Sequence, residues 1–251
     1  MERKNRRTRL DFASNNIAST AFQNAATKTK RPTRSQPKFS TLRRPSLEFV
    51  VVFVALPLIA AWQGPLFKKW IIPQLLVLAA LALAMLWRDP SFDRRPLRSV
   101  PPDWSLFVRR IVVFFILGGT VLLFLTIAFS HIRVFLFPYQ RPILWFAVLV
   151  LYPLVSAVTQ ELIFRVFVFH RYRTLFPNAH TMLVASAGTF ALAHLQLGNA
   201  LAPALSLIGG LRFAYTYRAT RSLALVSLEH GLWGDWIFTI GLGAFFYGGA
   251  L

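Results

Sequence analysis

The stretch from Thr159 to Tyr172 reads TQELIFRVFVFHRY and sets Glu161 and Arg165 four residues apart in an otherwise apolar run. On a helix, positions i and i+4 share a face, so the two side chains can pair. One ionisable side chain at bilayer depth costs about 2.5–3.5 kcal/mol. Such a residue needs a partner or a task. Two further stretches have the same character: FALAH carries Phe190 and His194, and EHGLWGDW carries Glu229, His230 and Asp235. Glu161, His194 and His230 therefore come from three separate apolar runs. Packing alone does not call for that set.

A carboxylate and two imidazoles suit the activation of water. The carboxylate can serve as general base, and a histidine can hold the water or donate to an oxyanion. The same three groups can instead hold a metal ion such as zinc through two nitrogens and one oxygen, with a coordination position left open. Both routes end in hydrolysis. Plainer roles stand beside them: Glu161 and Arg165 as a mutually neutralising pair, His194 as a bond between helices, and His230 at a helix end. Other intramembrane hydrolase signatures are absent, since the sequence holds no HExxH, GxSxG or GxGD. It also has no cysteine, which excludes thiol nucleophiles, thiolate zinc sites and disulfides.

Hydrophobic residues make up 55% of the 251, which is high for a soluble domain. Seven apolar runs cover about 47–62, 70–87, 111–130, 143–169, 182–197, 200–217 and 222–246. Each approaches the length needed to cross about 30 Å of hydrocarbon as a helix, the first and fifth being short. The runs lack the alternation of a β-barrel, so their backbone must be satisfied within helices. The expected fold is an all-α, polytopic transmembrane bundle of about seven spans. Residues 1–45 are polar and basic without apolar periodicity, and read as a disordered cytoplasmic tail ahead of a membrane domain at 46–251.

The net charge of +19 follows the same plan. An inside N-terminus places the tail, Arg88, Arg94, Arg95, Arg98, Arg109, Arg110, Arg171, Arg173, Arg218 and Arg221 on the cytoplasmic side. Lys68, Lys69, Arg133 and Arg141 fall opposite, giving twenty-two basic residues against four. The positive-inside rule then predicts N-in, C-out topology, with the tail drawn to anionic lipid and no nucleic-acid partner. A reporter fused after Leu251 is expected to work only on the far side of the membrane. Activity on the cytoplasmic side would overturn the seven-span count.

In their order and spacing, QELIFR, FALAH and HGLWG resemble the motifs of the CPBP family, the CAAX-protease and bacteriocin-processing membrane proteins. The resemblance spans roughly residues 140–250. The family pattern reads EExxxR, FxxxH and HxxxN or a similar small polar residue. It implies a helical membrane endopeptidase in which Glu161 is the base, His194 positions water, His230 stabilises the oxyanion and Arg165 orients Glu161. Both metal-dependent and metal-free glutamate mechanisms are ascribed to the family, so zinc and no cofactor are both open. Two positions depart from the pattern: Gln160 replaces the first glutamate, and Gly234 stands four residues after His230. They favour the alternative, a non-catalytic scaffold or bacteriocin-immunity protein. The expected setting is a bacterial inner membrane, with lipids and a peptide or protein substrate as partners.

Overall fold

Apolar runs punctuated by proline, glycine and charged loops fold here as nine helices, counted over residues 45–63 and 70–247, which the computed structural model describes. The basic tail expected at 1–45 lies outside the described residues except for Pro45, as do Lys68 and Lys69. In chain order the helices are α1 (Pro45–Trp62), α2 (Ile71–Arg88), α3 (Arg95–Arg98), α4 (Trp104–Phe129) and α5 (Leu136–Gln140). Then come α6 (Pro142–Arg171), α7 (Ala179–Ala193), α8 (Leu201–Thr220) and α9 (Leu223–Thr239). No strand occurs among the described residues. The fold is an all-α bundle of membrane-spanning helices.

Four helices are long and apolar enough to cross a membrane: α1, α2, α4 and α6. They expose apolar side chains such as Leu117, Phe124 and Ile127 of α4, which lipid can cover. The last three apolar runs form α7, α8 and α9, of 15, 20 and 17 residues. At 1.5 Å per residue α7 spans only about 22 Å. The seventh run was expected to continue to residue 246, but its helix stops at Thr239. Gly241, at φ 93°, turns the chain there into a short 3-10 segment at Leu242–Phe245. That backbone region is costly for any residue with a Cβ.

Helix α6 is the centre of the bundle. Every residue from Glu161 to Phe169 is buried, the pattern of a helix surrounded on all faces. It also contains two π-helical turns, Tyr152–Ala157 and Leu162–Phe167. Pro153 lies in the first of them. A proline inside a helix lacks an N–H and crowds the preceding turn, and a widened turn accommodates it. Such turns change the register of the side chains after them, and they recur at functional sites. Around α6, Phe53, Phe164, Phe167, Phe190, Phe213 and Tyr217 form an aromatic core.

Helix starts and ends that the loop charges assigned to one side do meet at one end of the bundle. Arg171 at the end of α6 pairs with Glu48 of α1 at 2.7 Å, and the Tyr172 hydroxyl donates to the same carboxylate at 2.9 Å. Burial, reinforced by that carboxylate, pushes the Tyr172 phenol well above its ordinary pKa and keeps it a donor. His170 lies 2.7 Å from Asp89, which follows α2, and Arg173 donates to Ser91 at 3.2 Å. Asn178 and Ser222 cap α7 and α9 by accepting from backbone N–H groups. These contacts fix where α6, α7 and α9 enter the bundle, and so set the depth of Glu161, His194 and His230.

Candidate active site

Glu161 and Arg165 are both fully buried, and the Glu161 Oε2 to Arg165 Nε distance is 3.1 Å. The other carboxylate oxygen lies 2.7 Å from Nδ1 of His230, on α9. A carboxylate only accepts, so Nδ1 carries a hydrogen and Nε2 faces the other way, 3.0 Å from the hydroxyl of Tyr152. The His230 ring is held flat against Phe213, with centroids 4.7 Å apart and an interplanar angle of 18°. Arg165 donates through Nη2 to the carbonyl of Gly210 at 3.1 Å, and its guanidinium lies 4.5 Å from the centre of the Phe190 ring. Three helices thus lock one carboxylate between a guanidinium and an imidazole. A cation over an aromatic face adds attraction of its own when desolvated.

His194 is held differently. It follows the last residue of α7 and opens a 3-10 turn, His194–Leu197, that ends at Gly198 in the left-handed region. Its Nδ1 lies 2.7 Å from the Phe190 carbonyl oxygen. The carbonyl accepts, so Nδ1 carries the hydrogen, and the neutral ring presents a bare Nε2. The ring also contacts that of Phe190, at 4.6 Å between centroids, and Phe190 in turn meets His230 at 5.5 Å. His194 and His230 therefore share one phenylalanine as a ring neighbour. The short α7 explains how a residue near the end of its run can reach the interior.

A cavity of about 590 Å³ opens beside this cluster. His194 lines it together with Tyr152, Ser156, Gln160 and Gln196, amid apolar side chains of α2 and α6. Glu161, Arg165 and His230 are not among its lining residues. The position expected to activate water by the family pattern, residue 160, is the one that faces the cavity. There the Gln160 amide donates to Ser156 Oγ at 2.6 Å, while its buried Oε1 has no hydrogen-bond partner.

Sequence reasoning missed two residues. Arg212 of α8 pairs with buried Glu229 at 2.6 Å, and its guanidinium lies over Phe114 at 4.4 Å. This pair fastens α8 to α9, and the signal for it was a lone arginine inside the sixth apolar run. Tyr152 was the second. A tyrosine in an apolar run carries no charge to draw attention, and its contact with His230 spans 78 residues of sequence. Gly234 supplies the hint: a Cβ there would fall on the Tyr152 ring. Asp235 has a buried oxygen without a hydrogen-bond partner.

The donor set does not fit a metal ion. Among the described residues no group of three His, Cys, Asp or Glu side chains stands close enough to hold one. Oε1 of Glu161 is engaged by His230, Oε2 faces the Arg165 guanidinium at 3.1 Å as an ion pair without a hydrogen bond, and Nδ1 of His194 is engaged by Phe190. Zinc ligands in catalytic sites need three such donors converging on one point.

Residues 142–234 match the family model described as Type II CAAX prenyl endopeptidase Rce1-like. This segment is Rce1-like. It runs from the start of α6 to Gly234 within α9, and so contains Glu161, Arg165, His194 and His230 as well as Gln160 and Gly234. The match covers less than half of the chain. No curated protein and no solved structure matches the chain. The apolar helices, together with the Rce1-like segment, support an integral membrane protein.

Proposed function

We propose that the chain is an intramembrane endopeptidase that hydrolyses a peptide bond in the cavity beside α6 and α7. One observation carries this reading: within the Rce1-like segment, His194 lines the cavity with its Nδ1 held by the Phe190 carbonyl, which leaves Nε2 as the ring nitrogen free to act, beside Tyr152, Ser156 and Gln160 and with Arg141 also in the lining. An imidazole so placed can take a proton from water as the water oxygen adds to the substrate carbonyl carbon. It can return that proton to the amine nitrogen as the C–N bond breaks. Gln160 and Ser156 would position the peptide or the water by hydrogen bonds. Glu161, His230 and Arg165 form a fixed charged group behind the wall, with Glu161 setting the tautomer of His230 and Arg165 holding Glu161. The base expected at Glu161 thus passes to His194, because Glu161 is fully buried, paired with Arg165 and bonded to His230, and is not among the residues that line the cavity. The cavity's apolar lining suits a membrane-embedded peptide segment, with surrounding lipid as the other partner. We place the protein in a bacterial inner membrane with its N-terminus in the cytoplasm, on the charge distribution alone.

A non-catalytic scaffold, such as an immunity protein, is favoured by one feature, the uncharged Gln160 at the cavity wall. Cleavage of a peptide library by purified protein in bilayers separates the two readings. Cleavage that persists with chelator is expected, and no cleavage of any member would overturn the peptidase reading. The variant Gln160→Glu sharpens the result. In a working enzyme that uses His194 it should change the rate by only a few-fold, whereas activity that arises only in Gln160→Glu would identify a lapsed protease.

A further inference from the structure

The residues that carry buried charge and those that face the cavity are different residues, and one side chain joins them. Tyr152 lines the cavity, and its hydroxyl lies 3.0 Å from His230 Nε2. His230 Nδ1 lies 2.7 Å from Glu161, which Arg165 holds from the other side. We propose that Tyr152 is a catalytic residue whose hydroxyl donates a hydrogen bond to the oxyanion of the peptide substrate, poised there by the His230–Glu161 pair. This inference rests on the peptidase reading above.

The geometry of donors and acceptors supplies the mechanism. When His230 carries hydrogens on both nitrogens, Nε2–H donates to the phenol oxygen and the phenol's own hydrogen is released toward the cavity. The Glu161 carboxylate offsets the charge of that imidazolium. As water adds to the carbonyl carbon, the carbonyl oxygen becomes an oxyanion and accepts from Tyr152. No bond to Tyr152 forms, and the oxyanion returns to a carbonyl when the C–N bond breaks and the amine leaves with the proton from His194. A donor of this kind gains most where water is excluded and the donor is fixed in advance. Tyr152 is fixed by Phe238, whose ring centroid lies 5.5 Å from its own, and by the space at Gly234. Any side chain at 234 would displace the ring. The glycine is therefore the condition for a hydroxyl that arrives from α6 instead of from α9.

The test compares parent and Tyr152→Phe, which keeps the ring beside Gly234 and removes only the hydroxyl. With both proteins at matched abundance in bilayers, kcat is expected to fall about 100-fold while KM stays within about threefold. A residue that merely packs would not separate the two constants. The ¹⁵N resonance of His230 Nε2 in histidine-labelled protein is expected to shift in Tyr152→Phe, a readout independent of turnover. If the parent cleaves and Tyr152→Phe keeps its kcat within threefold, the role of Tyr152 is overturned and the peptidase reading stands. If the parent cleaves no peptide, the peptidase reading falls and takes this role with it.

Discussion

His194→Ala is expected to lower peptide cleavage by about 10²–10⁴-fold, the range that a positioned general base contributes. The loss should lie in kcat, because the imidazole acts on water and touches little of the substrate. Its hydrogen bond to the Phe190 carbonyl is local, spanning four residues, and the long-range contact it gives up is the ring contact with Phe246 at 5.9 Å. Glu161→Gln and His230→Ala are expected to cut cleavage too, through a different route. Glu161→Gln removes the charge at one end of the line from Glu161 to His230 to Tyr152, and His230→Ala removes both of its hydrogen bonds. Combining these two should add little to either alone, as residues that act as a unit are not additive. The measurement is turnover of one identified peptide by each variant at matched membrane abundance. If Glu161→Gln cleaves as well as the parent, Glu161 is only a structural partner of Arg165.

Arg165→Met should destabilise the fold by about 3–5 kcal/mol, the usual result of stripping one partner from a buried ion pair. The reason is visible in what Arg165 touches: a fully buried carboxylate, the Gly210 carbonyl on α8, and the faces of Phe190 and Phe213. One substitution therefore leaves Glu161 without its cation and unties α6 from α8. The double variant Glu161→Leu with Arg165→Met should recover much of the loss, because paired apolar residues of similar size often replace a buried pair at little cost. Thermal unfolding of the detergent-solubilised proteins checks both expectations. An Arg165→Met protein that unfolds with the parent would show that the pair contributes nothing to stability.

These expectations separate what Glu161 and Arg165 do from what their sequence spacing implied. The i, i+4 spacing in QELIFR announced a pair, and the pair is there at 3.1 Å. It did not announce that the other oxygen of Glu161 is bonded to His230. That depends on α9 bringing His230 within 2.7 Å, a contact between positions 69 residues apart.

The sequence alone determined the helices, because hydrophobic run length, proline, glycine and loop charge are local signals. α1, α2, α6 and α8 begin and end within a few residues of the runs at 47–62, 70–87, 143–169 and 200–217. It also singled out Glu161, Arg165, His194 and His230, since an ionisable residue in an apolar run is conspicuous wherever it packs, but it passed over Arg212 and Tyr152, whose partners lie on other helices. Only the tertiary structure decided which members face the cavity. Rotation of α6 between its two π-helical turns puts Gln160 at the wall and Glu161 behind it, and adjacent residues on a helix point about 100° apart. The missing Cβ at Gly234 read as an absent functional group in the sequence. In the bundle it is the room taken by Tyr152 of another helix, a relation that only packing between distant segments can create.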